Sequence, residues 1–358
     1  MKALAATTTV VVFAGLAVAM LSSRAASPQI GRHAKPAVAP SRGSTSSRAV
    51  TAPPPTSTST CPLTGAPAPG GQVPQRPALA VKVGNNPGAR PQSGLSAADV
   101  VFEVPIEGAI TRLIAVFQCH GAGKVGPVRS TRWIDVQILQ QLGHPIFGFA
   151  GGIKPDLQLV ASSPLFDADF LRYYDLYTRG HSRVAPNNLY VSTASLWRLD
   201  ASRHPPPALF TYSATAPAGG TVQAVRSVAL TYSSIYEVTW QWQASSGRWL
   251  RFYGTTPADG ASGTQLSAAN VVIERVHTVP GPYVEDSEGA HGVHSITVGR
   301  GPVTVLRNGV AVKGYWERSS TSQITRLVTA SGNRIDLAPG STWVELVPNY
   351  STVTLGPS

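Results

Sequence analysis

The stretch Asp99-Val-Val-Phe-Glu-Val-Pro-Ile-Glu-Gly-Ala-Ile-Thr-Arg-Leu-Ile-Ala-Val-Phe-Gln118 opens with strict two-residue alternation, the mark of a β-strand with two unlike faces. Val100, Phe102, Val104 and Ile106 fall on one face; Asp99, Val101, Glu103, Pro105 and Glu107 fall on the other. Gly108-Ala109 is read as a two-residue hairpin turn onto a second strand, Thr111–Gln118. In the register such a turn sets, Pro105 faces Arg112 and Glu103 faces Ile114. Arg112 then lies diagonal to both Glu103 and Glu107. A charged cluster on one face of the hairpin is therefore expected, and a one-residue slip would destroy it.

Outward from this hairpin, the first half alternates strands and helices. Pro77–Val83, Pro145–Ala150 and Leu165–Phe170 are strand-like, and Trp133–Leu142, Pro155–Ser162 and Thr193–Leu199 are helical. From about residue 205 the helical signal stops. Val222–Tyr232, Tyr236–Gln243, Arg248–Tyr253 and Asn270–Thr278 begin a series of strands that runs to Thr342–Val347. Asn308-Gly309 marks a tight hairpin within it. The fold class is α+β: an α/β-type half over residues 61–204, then an antiparallel β-rich half over residues 205–358.

The first sixty residues are of another kind. Leu4 to Leu21 is apolar and uncharged, with Lys2 before it and Ser22-Ser23-Arg24-Ala25 after it. Residues 1–25 are thus either a cleaved secretory signal or a membrane anchor through residues 4–21. Residues 26–60, rich in Pro, Ser, Thr and Ala, lack the apolar content to offset ordering entropy and are expected to be a disordered tether. The chain is expected outside the cytoplasm, anchored or secreted. The net charge of +11 is concentrated here, because residues 1–60 hold six Lys and Arg and no Asp or Glu. That points to anionic wall polymer or lipid headgroups and away from nucleic acid. Cys61 and Cys119 are the two cysteines, and in an exported protein they are expected to form a disulfide.

Several longer stretches resemble one family. Cys61-Pro-Leu-Thr-Gly, Arg90-Pro-Gln-Ser-Gly-Leu-Ser-Ala-Ala-Asp99, Glu107-Gly-Ala-Ile-Thr-Arg112 and Val125-Gly-Pro-Val-Arg-Ser-Thr-Arg132 are similar to the YerB-like family of bacterial envelope lipoproteins. So are Ala185-Pro-Asn-Asn-Leu-Tyr190 and Pro339-Gly-Ser-Thr-Trp343-Val-Glu345. The resemblance implies a two-part fold outside the membrane and no established activity. Two features depart from the family pattern: the lipid-bearing cysteine is missing, and Asn187 stands where the family often has His.

The candidate site gathers Asp99, Glu103, Glu107, Arg112, Arg129, Ser130 and Arg132. Arg129 and Arg132 flank Ser130 just before the Trp133 helix, so two guanidinium groups and helix amides are expected to surround an anion in a cleft between the two halves. The leading function is a non-enzymatic binding module for an anionic wall or small-molecule ligand. One alternative is a carboxylate-dependent wall hydrolase using Glu103 and Glu107; another is an assembly factor for an envelope protein. The bland alternative for the same residues is a salt-bridge network that fixes the hairpin. No cofactor or metal is expected: Glu285 to His294 collects acids and histidines, but its glycines make it a flexible loop. Trp240, Trp242 and Trp249 are read as core packing rather than as a sugar-stacking surface.

Overall fold

The computed structural model describes residues 59–200, 204–215 and 221–357. The proposed leader at 1–25 and nearly all of the tether at 26–60 lie outside them. No helix among the described residues is long and apolar enough to cross a membrane.

A mixed sheet of twelve strands forms the backbone of the fold. Its centre is the decisive hairpin, Val100–Pro105 and Thr111–Phe117, flanked by Leu79–Gly84 on one side and Thr342–Pro348 on the other. Beyond Leu79–Gly84 the parallel strands Ile146–Phe149 and Phe166–Asp169 extend it. Beyond Thr342–Pro348 come Asn270–Val284, Gly299–Arg307, Val310–Arg318 and Arg326–Val328. The first half is α/β in character and the second mostly antiparallel β, as the patterning predicts, and one sheet runs through both.

Local chemistry explains the elements. Asn308 and Gly309 both take positive φ (46° and 75°), the type I′ geometry that matches strand twist, and they pair Arg307 with Val310. The helix Trp133–Leu139 turns Ile134, Val136, Ile138 and Leu139 into the core. With Lys154–Ala161 it covers one face of the sheet around Phe102, Ile114 and Phe147. A second, six-stranded sheet containing Ser227–Ser233, Tyr236–Gln243 and Arg248–Tyr253 packs its apolar residues with those of the opposite face. Trp240 and Trp249 are fully buried in that layer. Every residue of the four central strands is buried, so the alternation at Asp99–Glu107 does not mark a solvent face. Its polar positions feed buried networks instead.

The hairpin itself corrects the expected register. Its loop has three residues, Glu107-Gly108-Ala109, with φ of 74° at Gly108 and 57° at Ala109, and Ile106 N–H donates to the Ile110 carbonyl at 3.0 Å. Glu103 therefore pairs with Leu113, Val104 with Arg112 and Pro105 with Thr111. The shift is the one-residue slip that moves a side chain to the other face. Its physical cause is Glu107, which is held out of the ladder by ion pairs with Arg112 and Arg132. Cys61 and Cys119 are joined, with Cα atoms 6.0 Å apart, so the start of the described chain is tied to the end of the hairpin.

Candidate functional site

The expected cluster divides into three: the slip parts Glu103 from Arg112, and Asp99 lies at the other end of the strand. Glu103 points toward the six-stranded sheet. There its Oε1 accepts from Thr111 Oγ1 (2.6 Å) and Tyr236 OH (2.6 Å), and Oε2 lies 2.7 Å from Arg251. Arg251 also pairs with Glu345 at 3.0 Å, and Glu345 accepts from Tyr232 and Trp240, both at 2.8 Å. Glu103, Arg251 and Glu345 are wholly enclosed. Burial, helped by the charge of Glu103, pushes the Glu345 carboxyl up to about 8. This network joins the two sheets and has no route to a substrate.

Asp99 sits at the far end of the hairpin. It accepts from the amides of Gln118 (2.5 Å) and Cys119 (3.0 Å) and holds His120 Nδ1 at 2.6 Å. It does not join the arginines.

The third group lies on the helix side of the sheet. The segment Pro127–Arg129 pairs with the end of Leu79–Gly84 that the shorter Ile146–Phe149 strand leaves uncovered: Gly84 N–H donates to Pro127 O at 2.9 Å, and Arg129 N–H to Lys82 O at 3.0 Å. The chain then enters the helix through Thr131 and Arg132. Asp135 caps that helix, accepting from Arg132 N at 2.9 Å and Thr131 Oγ1 at 3.2 Å, and it pairs with Lys82 at 2.5 Å. Asp135 thus takes the Arg132 amide, which is not open to a ligand. Lys82 and Asp135 are fully buried, and burial pushes the lysine down to about 8 against the pull of Asp135.

Arg132 is saturated. It pairs with Glu107 through two nitrogens, meets Glu285 Oε2 at 2.9 Å, and donates to the Thr131 carbonyl at 2.9 Å. Arg112 donates to the Ser130 carbonyl (3.0 Å) and to Glu107 (3.3 Å); burial and the nearby Arg132 charge lower it to about 9. Arg129 differs. Its Nη1 meets only amide oxygens, those of Asn187 at 2.9 Å and Asn86 at 3.2 Å, and among the described residues no carboxylate pairs with it. Burial and the charge of Arg132 lower its proton affinity. The cation that remains unneutralised in the group is therefore Arg129.

Concavities of about 240 and 230 Å³ meet on either side of Arg129 and Pro186. The first is walled by Val128, Phe170, Leu171 and Leu189 with Ser130 at its edge; the second by Asn86, Arg112 and Asn187. Among the described residues no group of three or more His, Cys, Asp or Glu could hold a metal ion.

Sequence reasoning missed Lys82, Asp135, Asp156, Asn86 and Glu285. Lys82 was legible as the one charge within an apolar strand. Glu285 was not: the segment expected to be a flexible loop docks, with Glu285 on Arg132 and His294 stacked on Trp133 at 4.1 Å. Asp156 lies beside Glu285. Burial first, and the Glu285 charge second, push Asp156 up to about 8, and Glu285 is raised as well. The two carboxyls thus share a proton near neutrality. A carboxyl raised in the folded state contributes stability below its unfolded value near 4 and loses it as pH climbs to about 8. Asp156→Asn keeps a donor toward Glu285 without titrating. Melting temperatures at pH 5 and pH 8.5 should show the variant gaining several degrees on the wild type at the higher pH only. An equal offset at both would contradict the shared proton.

Residues 63–205 match the family model described as the N-terminal domain of a protein of unknown function (DUF3048), and residues 228–344 match its C-terminal domain. YerB of Bacillus subtilis (strain 168), named as a candidate lipoprotein, is 28% identical over 300 residues, 79% of this chain and 85% of that protein. The crystal structure of Bacillus subtilis YerB has a TM-score of 0.69 at 23% identity, covering 82% of this chain and 99% of that one; the likeness shows a shared fold. With both halves matched in order, the chain belongs to the DUF3048 family and is similar to YerB.

Proposed function

We propose that this protein is an extracytoplasmic binding module for an anionic ligand and that Arg129 is its anchor. The naming of YerB as a candidate lipoprotein supports the envelope location, as does the apolar segment at residues 4–21. The observation that carries the reading is the half-buried Arg129 guanidinium, which has no carboxylate partner while Arg112 and Arg132 share Glu107. A half-buried cation without a counter-ion is costly to maintain, and it gains a charge-assisted hydrogen bond when an anion arrives. A hydrolase built on Glu103 and Glu107 finds less support: the two face opposite sides of the sheet, and Glu103 is sealed.

The test uses the full chain and its Arg129→Ala variant at low ionic strength. Thermal shift against small anions and co-sedimentation with isolated wall sacculi are the two readouts. Binding in at least one is expected, weakened by salt and by about tenfold or more in the variant. A variant that binds as well as the wild type, or a wild type that binds nothing, would sink the proposal.

A further inference from the structure

The two concavities that meet at Arg129 are unlike each other, and the difference bears on the ligand. On one side lie polar amides: Asn86 and Asn187 present their Oδ1 atoms to Arg129 Nη1 and fix the plane of the guanidinium. Arg129 Nε and Nη2 make no hydrogen bond within the described residues. The Ser130 amide and hydroxyl are equally unengaged; only its carbonyl is used, by Arg112. On the other side is a wall of Val128, Phe170, Leu171 and Leu189 around about 240 Å³.

We infer that the ligand is a small monocarboxylate with a short aliphatic body, such as the free C-terminus of a peptide ending in small residues. This rests on the proposed anion site and narrows it. A guanidinium fixed in plane with an open edge matches the two oxygens of a carboxylate. A phosphate dianion would call for a second buried cation, and the adjacent ones are spent on Glu107 and Glu285. Arg179 also lines the cleft but is exposed and donates to Asn188, so it adds little. Apolar walls of this kind add affinity in proportion to the aliphatic area they cover. A concavity of about 240 Å³ matches the bulk of a short chain end.

The experiment is calorimetric titration of the full chain with N-acetyl-alanyl-alanine, its C-terminal amide, and inorganic phosphate. Arg129→Gln and Leu171→Ser serve as variants; Leu171 is 68% exposed, so its replacement leaves the core untouched. The free acid should bind at least tenfold more tightly than the amide, Arg129→Gln should erase that preference, and Leu171→Ser should weaken the acid about threefold. Equal binding of acid and amide would overturn the inference. Phosphate binding that depends on Arg129, without peptide binding, would also overturn it but leave the anion site standing. Binding of none of the three, with no sacculus binding either, would remove both.

Discussion

Replacing Arg251 with methionine should cost the fold about 3–5 kcal/mol, read as a lowered urea midpoint with an unchanged denaturant slope. Arg251 is the cation between Glu103 at 2.7 Å and Glu345 at 3.0 Å, and all three side chains are sealed from solvent. Without it, two carboxylates share one enclosure. Glu345, already raised to about 8 by burial and by Glu103, would then be driven to keep its proton. Methionine retains much of the volume, so the loss reads the uncompensated charge more than a cavity. The triple variant Arg251→Met, Glu103→Gln, Glu345→Gln removes all three charges and should recover most of the loss. A single variant within 1 kcal/mol of wild type would mean that the network does not hold the sheets together.

The second large effect is expected at Asp135→Ala, again about 3–5 kcal/mol. Part of it, roughly 1 kcal/mol, is the helix cap; the rest is Lys82, left as a buried ammonium with no counter-ion. Here the pH dependence has a definite sign. Lys82 is lowered to about 8 when folded, against about 10.4 for a free lysine, so the folded state releases its proton first. Stability then rises with pH between those values. The rise should begin at lower pH in the variant, where Asp135 no longer holds the proton on. Urea midpoints at pH 7 and pH 10 should therefore show the deficit shrinking at the higher pH. A deficit that stays constant would assign the whole effect to the lost cap.

The alternation of Asp99–Glu107, the helical face after Trp133 and the Asn308-Gly309 turn were legible because each is a local property of neighbouring residues. The register of the central hairpin was not. Gly108-Ala109 satisfies a two-residue turn as well as part of a three-residue one, and the choice is made by Arg132, a residue outside the hairpin that extracts Glu107. The same holds for the candidate site. Arg129, Ser130 and Arg132 were visible as a motif, yet which arginine stays unneutralised depends on Glu285, more than 150 positions along the chain. The alternating acids of Asp99–Glu107 suggested one site; the slip and the length of the strand distribute them over an inter-sheet brace, an amide clasp beside the disulfide, and an arginine clamp.

The placement of Thr342–Pro348 has a bearing on how the molecule comes into being. This strand lies parallel between Val100–Pro105 and Asn270–Val284, so the middle of the sheet is supplied by residues that follow both neighbouring strands in sequence. Until they arrive, the strands on either side have unpaired inner edges, and the pairing that Val100–Pro105 lacks spans more than two hundred positions. Such topology makes folding slow and cooperative, because much loop entropy is lost before the closing contacts form. The two halves recognised as separate family domains thus share one sheet that closes late, and a nascent chain lacking Thr342–Pro348 exposes two adhesive edges.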